Sequence, residues 1–580
     1  MSHDEPTRLV RGDGVDLAVY ESGEEGAPII LFVHGYPDDH TVWAGVMRAL
    51  EDRYRVVAYD VRGAGRSSTP SSREGYALAH LVADMEAVIG AISGGKPIHL
   101  VGHDWGAIQA WEAVTEPHMR ASVASYTTIS GPCLDHVSLW SKERMREGAV
   151  VDVAGQAVKS WYIGFFQLPG VAERVWRGGM AARFPKIIAA SEKTLPFEPA
   201  PTAAEDAARG VELYRANIPK IMRSPRTRAT TVPVQAILPR GDRFISPASY
   251  SILSRFVSEA YFRQIQGGHW VVRSAPDRVA RYVTEMVEHV EGRRTAPHLA
   301  RARVRERARP DEGKVVLITG AGSGIGRTTA LAFARRGAEI VIADISREGA
   351  EETRALCEAE GVAAHVEQVD VSDAGAMERF AAHVAERYGA PDVLVNNAGI
   401  GMAGPLLETG TADWERVLDV NLWGVIHGCR LFGAQMTKRG EGGHIVNLSS
   451  MAAFMPSVIL PAYATSKAAV LRMSECLRAE LAPHGVGVSA ICPGVIDTPI
   501  TSRTRFVGVS GEEERERRDS SRRLYARRGY SPESVAAAIV DAVEKDRAVV
   551  SVSPEAKIAR WLYQLAPKLA RAVGRLDVPL

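Results

Sequence analysis

The chain has 580 residues, a formal net charge of +1 at pH 7, 46% hydrophobic residues and 24% charged residues. That length exceeds one ordinary hydrophobic core and predicts two domains, while the balanced charge argues against a dedicated nucleic-acid binder. No stretch approaches the roughly 18 apolar residues of a membrane span, and Met1 to Gly12 is polar, without the apolar run of a secretory signal, so a soluble, cytoplasmic protein is expected.

Up to about Gly292 short apolar runs alternate with helical stretches. Pro28 to Val33, Arg55 to Tyr59 and Ile98 to Val101 read as buried strands, each ending in a Gly- or Asp-rich turn, the pattern of a parallel sheet with crossover helices. Ile98 to Val101 runs into Gly102-His103-Asp104-Trp105-Gly106 and then a helix from about Ala107. Small residues on both sides of Asp104 permit a sharp strand-to-helix turn that exposes the central side chain as a nucleophile. The N–H of Trp105 can serve an oxyanion, and a second N–H can come from His34-Gly35-Tyr36-Pro37, which follows an earlier strand. After Ser130 the pattern breaks into a Trp- and Arg-rich helical region, about residues 133–230, placed as a cap would be. The strands resume at Val232 to Leu238, followed by Asp242, and at Phe262 to Gln266, followed by His269. Nucleophile, acid and histidine in that order, each at a strand end, give Asp104 a base in His269 and an orienting acid in Asp242. Asp242 capping the helix near Pro247 is the structural alternative.

Residues 293–313 change texture: Arg301, Arg303, Arg305, Arg307 and Arg309 alternate with small or polar residues and end at Pro310. Such a run reads as an exposed, solvated linker, with an anionic-lipid or nucleic-acid patch as the alternative. From Lys314 a second βα rhythm begins, with strands at Val315 to Ile318, Glu339 to Ala343, Val393 to Val395 and His444 to Leu448 and a helix at Ile325 to Arg336, which predicts a doubly wound sheet. Gly320, Ser323, Gly324, Ile325 and Gly326 lie on a turn that leaves a strand and opens a helix, so backbone N–H groups face a pyrophosphate. Asp344 ends the next strand, where a carboxylate accepts both ribose hydroxyls and repels a 2′-phosphate. NAD is therefore expected over NADP, with Arg327 and Arg347 as the residues that could reverse this. Tyr463 and Lys467, at i and i+4, share a helix face, and an ammonium beside a phenol favours the phenolate. Ser450 ends a strand region and can hydrogen-bond a carbonyl or carbinol oxygen. Cys133, Cys357, Cys429, Cys476 and Cys492 have neither metal-ligand nor redox spacing and read as reduced thiols. In the tail Ile558, Trp561, Leu562, Leu565, Leu569 and Val573 recur at helical spacing among Lys557, Arg560, Lys568, Arg571 and Arg575, with Pro567 as a break. That segment packs on the core or on a sister subunit, or lies on a membrane surface as a peripheral contact.

The first half resembles the α/β-hydrolase superfamily and, through GHDWG and HGYP, its epoxide hydrolases. Haloalkane dehalogenases share the aspartate but usually carry Asn where Tyr36 stands, and esterases would carry serine at position 104. The resemblance implies that cap tyrosines Tyr162 and Tyr214 bind the epoxide oxygen, that Asp104 forms an alkyl ester, that the N–H groups of Tyr36 and Trp105 hold the oxyanion, and that a diol forms without metal. The second half, about Lys314 to Val552, resembles the short-chain dehydrogenase/reductase family. That resemblance implies Tyr463 as acid/base, Ser450 polarising the substrate oxygen, Lys467 also on the nicotinamide ribose, and Asn421 holding a relay water. It further implies that Asp370 and Val371 lie by the adenine, that Asn397, Ala398, Gly399, Pro493 and Gly494 line the cofactor, that Ile496 to Arg528 closes over substrate, and that the chain is a homo-oligomer through this half. The expected architecture is an α/β-hydrolase fold with a helical cap (1–292) followed by a Rossmann-type doubly wound sheet with a basic tail (314–580). The expected function is bifunctional, on small, lipid-like epoxides and alcohols or ketones, with diol made by one half oxidised by the other. The alternatives are a dehalogenase, or a non-catalytic interaction module, in the first half.

Overall fold

A computed structural model describes residues 5–194, 196–305, 309–528 and 530–574. Arg307 of the arginine run and Arg575 of the tail lie outside the described residues. The chain divides into two compact units, Met1–Glu306 and Arg307–Leu580.

The first unit holds an eight-stranded sheet built from β1 (Arg8–Arg11), β2 (Asp16–Ser22), β3 (Ile29–Val33), β4 (Arg55–Tyr59), β5 (Ile98–His103), β6 (Val123–Ile129), β7 (Val234–Pro239) and β8 (Ala260–Ile265), in the order β1-β2-β4-β3-β5-β6-β7-β8. From β4 onward the neighbours are parallel, and β1 and β2 add an antiparallel edge. Continuous burial of β3 and β5 follows from their position at the centre, with apolar cores on both sheet faces. Between β6 and β7 lie the cap helices, among them Trp161–Phe166, Ala181–Glu192 and Ala203–Arg223.

The stretch expected as an exposed linker is largely attached. Helix Pro297–Arg301 buries Leu299. Beyond it, the Val304 N–H donates to Ala260 O (2.7 Å) and Ala302 O accepts from the Phe262 N–H (2.8 Å), so this segment covers the open edge of β8. An uncovered strand edge leaves backbone donors and acceptors unpaired, which explains the attachment. On the far side of 306–308, the Asp311 N–H donates to Arg336 O (2.8 Å) and its carboxylate pairs with the Arg336 guanidinium, anchoring that end to the second unit.

The second unit begins with β9 (Val315–Thr319), β10 (Glu339–Asp344), β11 (Ala364–Gln368) and β12 (Val393–Asn396). It continues with β13 (Met402–Ala403), β14 (Gly443–Leu448), β15 (Val486–Cys492), β16 (Arg505–Phe506) and β17 (Val549–Ser551). Seven of these form a parallel sheet in the order β11-β10-β9-β12-β14-β15-β17. The order reverses at β9, which leaves a crevice beyond the carboxyl ends of β9 and β12 where ligands bind in doubly wound sheets. The short pair β13–β16 sets Ala403 beside Phe506 and brings the segment after Ile496 over that crevice.

In the tail, Ala566 leaves helical geometry (φ −136°, ψ 57°) ahead of Pro567 and splits the segment into helices Pro554–Leu565 and Pro567–Val573. The buried side chains there are Ala556, Ala559 and Ala570, whereas Ile558, Trp561, Leu565 and Leu569 are exposed. Leu562 and Val573 are half-buried, so the larger apolar residues divide between the packed and the exposed sides, with most of them outward.

Candidate active sites

The first site is built on the turn between β5 and helix Trp105–Thr115. Asp104 has φ 51° and ψ −121°, a sparsely populated backbone region for a residue with a Cβ. The turn is possible because its neighbours are glycines: a Cβ on Gly102 would lie 2.6 Å from Ala107 Cα, and one on Gly106 would lie 2.0 Å from Val33 O. The Tyr36 N–H donates to Asp104 Oδ1 at 2.8 Å. Trp105 is the first residue of its helix, where backbone N–H groups have no intrahelical acceptor.

Asp104 Oδ2 faces His269 Nε2 at 3.4 Å, and His269 Nδ1 stands 3.1 Å from Asp242 Oδ2. Asp242 is held in turn by the N–H groups of Phe244 (2.7 Å) and Ile245 (3.0 Å). These bonds explain why it is not a cap for the short helix Pro247–Tyr250, whose N-cap is Ser246. Burial alone would lower the His269 value, but the Asp242 and Asp104 carboxylates outweigh it and hold the imidazolium up to about 10. Burial would likewise raise Asp242, and the charged His269 keeps it low instead. The three residues predicted as nucleophile, base and orienting acid are thus brought into one contiguous chain.

The loop carrying His269 is held by groups that sequence reasoning missed. Glu192, the last residue of helix Ala181–Glu192, accepts from the Gly268 N–H (2.8 Å), the Trp270 N–H (3.1 Å) and the Ser274 hydroxyl (3.0 Å). His103 Nε2 lies 2.8 Å from His269 O, and Asp38 accepts from Trp270 Nε1 (2.8 Å) and the Arg273 guanidinium (3.0 Å). No pattern in the sequence points to Glu192, whose partners are backbone groups of a distant loop.

The cap sets aromatic rings around this site. Tyr162 and Tyr214 have ring centroids 5.8 Å apart, and Tyr214 stacks edge-on to Trp105 (4.9 Å) and Tyr36 (5.4 Å). Burial raises both phenols above their ordinary range, with Asp104 reinforcing it, so both remain protonated donors across the physiological range. The Tyr36 hydroxyl does not join them, because it donates to Ala207 O at 2.8 Å. Helix Ala203–Arg223 can come that close only with glycine at position 210, where a Cβ would lie 2.6 Å from the Tyr36 ring.

The second site is a cavity of about 810 Å³ at the crevice of the parallel sheet. Of the residues singled out from the sequence, Gly320, Ser323, Gly324, Ile325, Asp344, Asp370, Val371, Asn397, Ala398, Gly399, Ser450, Tyr463, Lys467, Pro493 and Gly494 line it. Gly326 and Asn421 do not. Gly326 serves packing, since a Cβ there would lie 2.2 Å from Gly320 O. Asn421 is fully buried within the π-turn Asp419–Trp423; its side chain accepts from the Ile400 N–H (2.8 Å) and donates to Ile400 O (3.0 Å) and the Ser466 hydroxyl (3.3 Å). Met402, Leu460, Arg503 and Phe506 also line the cavity and were not foreseen individually.

Asp344 is shaped by the turn it faces: Oδ2 accepts from the Gly322 N–H (2.8 Å) and Oδ1 from the Ser346 N–H (2.8 Å). Lys467 Nζ lies 5.7 Å from the Tyr463 ring centre and donates to Leu448 O (2.9 Å). Burial disfavours its charge and brings Lys467 down to about 8, with Cys492 acting weakly in the opposite sense. Lys467 therefore stays largely an ammonium at neutral pH and begins to lose its proton only at mildly alkaline pH.

Residues 28–276 match the alpha/beta hydrolase fold family and residues 314–506 match the short chain dehydrogenase family. "Probable oxidoreductase EphD" of Mycobacterium tuberculosis is 41% identical over 584 aligned residues, 99% of each chain. "C alpha-dehydrogenase" of Sphingobium is 36% identical over 251 residues, 42% of this chain and 82% of that one. Among solved structures, a short chain dehydrogenase/reductase from Burkholderia phymatum in complex with NAD is 29% identical and covers 47% of this chain and 98% of its own, with a TM-score of 0.42. Matched over nearly its whole length, the chain belongs to the EphD family, in which a unit of α/β-hydrolase fold precedes a short-chain dehydrogenase unit.

Proposed function

We propose that the first unit hydrolyses epoxides to vicinal diols and that the second interconverts alcohols and ketones with NAD. The observation that carries the first assignment is the divided carboxylate of Asp104: Oδ1 rests on the Tyr36 N–H and Oδ2 faces His269. In the first step Oδ2 bonds to a ring carbon, the ring C–O bond breaks, and the departing oxygen takes a proton from Tyr162 or Tyr214. That step removes the negative charge of Asp104. His269 then keeps only Asp242 as a charged neighbour and loses part of what held its proton; that proton returns the donor phenolate to phenol, and the neutral imidazole accepts one from water. The hydroxide adds to Asp104 Cγ, and the N–H groups of Tyr36 and Trp105 receive the oxyanion. Collapse releases the diol and restores the carboxylate.

The second cavity fits a dinucleotide. Its glycine turn is kept clear of side chains, since a Cβ at Gly320 would lie 2.8 Å from Ala398 Cα and one at Gly322 2.9 Å from Asp344 Oδ2. In this reading Asp344 accepts the ribose hydroxyls. Arg327 is engaged by Glu352 (2.6 Å), Arg347 extends into solvent beside Glu351, and neither lines the cavity, which supports NAD over NADP. When bound there, NAD supplies the hydride acceptor or donor. Ser450 orients the substrate oxygen, Tyr463 takes or gives its proton, and Lys467 stabilises the phenolate.

Purified protein offered aliphatic and lipid epoxides, with and without NAD, tests this by following diol and NADH together. Diol without cofactor, followed by NADH as diol accumulates, supports both assignments and their use in sequence. NADH from secondary alcohols but never from the diols would end the sequential reading. Halide release from haloalkanes without diol from any epoxide would end the first assignment.

A further inference from the structure

The tail helices Pro554–Leu565 and Pro567–Val573 present their surface in an unusual way. Ala556 and Ala559 face inward, the latter packed with Phe454 and Cys492, and Arg560 donates to Val549 O (2.9 Å). Outward on the first helix, Ile558 (58% exposed), Trp561 (55%) and Leu565 (69%) follow one another at i, i+3 and i+7, and Leu569 (52%) is exposed on the second helix, beyond the break at Ala566. A helix that packs its alanines and leaves its tryptophan and branched residues in solvent presents an apolar face suited to a partner.

The surrounding charge identifies that partner. Lys557, Lys568 and Arg571 are exposed and have no ion pair among the described residues. The single acid between Pro554 and Gly574 is Glu555, whose carboxylate accepts from the Val495 N–H (3.2 Å). A two-fold contact between copies would set this patch against itself and bring cation to cation with no carboxylate between them. An anionic bilayer meets both needs, since the apolar row enters the acyl boundary, tryptophan suits the headgroup level, and the cations meet lipid phosphates. We propose that the tail is a peripheral docking surface for anionic membranes. Its base is the segment that joins Ser450 to Leu460, both of which line the cavity: Phe454 lies with its ring centre 6.0 Å from that of Tyr563, and a Cβ on Gly574 would lie 2.7 Å from Pro456 O. Docking therefore places the dehydrogenase cavity close to lipid-dissolved alcohols and ketones.

The test is flotation of the full-length chain with vesicles of phosphatidylcholine containing about 30 mol % phosphatidylglycerol, against vesicles of phosphatidylcholine alone. The anionic vesicles are expected to carry about tenfold more protein, and raising the salt concentration should reverse this. Trp561→Ser with Leu565→Ser, and separately Lys568→Glu with Arg571→Glu, should each lower binding about tenfold while thermal unfolding and particle mass stay as in the parent. Absence of vesicle binding, equal binding by parent and variants, or variants that alter particle mass without altering vesicle binding would overturn the proposal. The last outcome would assign the face to a second copy.

Discussion

Glu192 holds the backbone on both sides of His269, accepting from the Gly268 N–H at 2.8 Å and the Trp270 N–H at 3.1 Å. A residue of the helical insertion thus fixes the position of His269, and the insertion and that histidine are coupled by a buried carboxylate. Glu192→Ala leaves both donors buried without an acceptor, at about 1–3 kcal/mol each. The expected result is a loss of diol formation of about tenfold or more, with NADH formation by the second unit unchanged. Equal diol turnover in the variant would show that the loop holds its shape without Glu192.

The charge of Asp104 is part of what keeps His269 protonated. In Asp104→Asn one of the two carboxylates acting on the ring is gone, so the His269 value should fall from about 10 towards the ordinary imidazole value of about 6.5. The sign for stability follows. His269 has a raised value in the folded chain, so its contribution is complete below about 6.5 and is lost as pH rises through the folded value. The variant should lose that contribution at lower pH than the parent. Ring-proton titration by NMR, with thermal unfolding against pH, checks both; an unchanged His269 titration would contradict the coupling.

Tyr162 and Tyr214 stay protonated because burial disfavours their phenolates. Each is therefore a donor across the physiological range. Replacing either by Phe should slow ester formation by roughly a hundredfold, and replacing both should slow it more than either alone. Stopped-flow quenching of tryptophan emission, with Trp105 4.9 Å from Tyr214, reads the step directly. A double variant with the parent rate would remove the tyrosines from the chemistry.

Asp344 receives two backbone N–H groups and lies on the cavity wall. Asp344→Asn keeps the shape and removes the charge that repels a 2′-phosphate. The NAD-to-NADP preference, measured as the ratio of kcat/KM values, should shift toward NADP by about tenfold or more. An unchanged ratio would place cofactor choice elsewhere in the turn.

Much of this was legible because the chemistry sits at strand ends. Asp104, Asp242 and His269 each follow a buried apolar run, and the glycines around Asp104 announce the turn that Asp104 completes at φ 51°. The second cavity was legible for the same reason, through Gly320, Asp344 and Ser450. β1, β2, β6, β11, β15 and β17 were not: Arg8–Arg11 and Ala364–Gln368 are exposed or half-exposed edge strands, Val123–Ile129 carries serine and threonines in its middle, Asp16–Ser22 and Val486–Cys492 are interrupted by polar residues or glycine, and Val549–Ser551 is three residues long. Glu192 was not, because its partners are backbone groups 76 and 78 residues away, and no spacing records such a contact. In the tail the helical period was readable, but which face would turn inward depends on the small residues that fit against Phe454 and Cys492.

The most direct test of the carboxylate mechanism is a single turnover of excess enzyme with an epoxide in heavy-oxygen water. Attack by Asp104 predicts an unlabelled diol, whose new oxygen came from the carboxylate, and heavy oxygen in the peptide that carries Asp104. Heavy oxygen in the first diol, with none at Asp104, would mean that water opens the ring directly and would contradict the account.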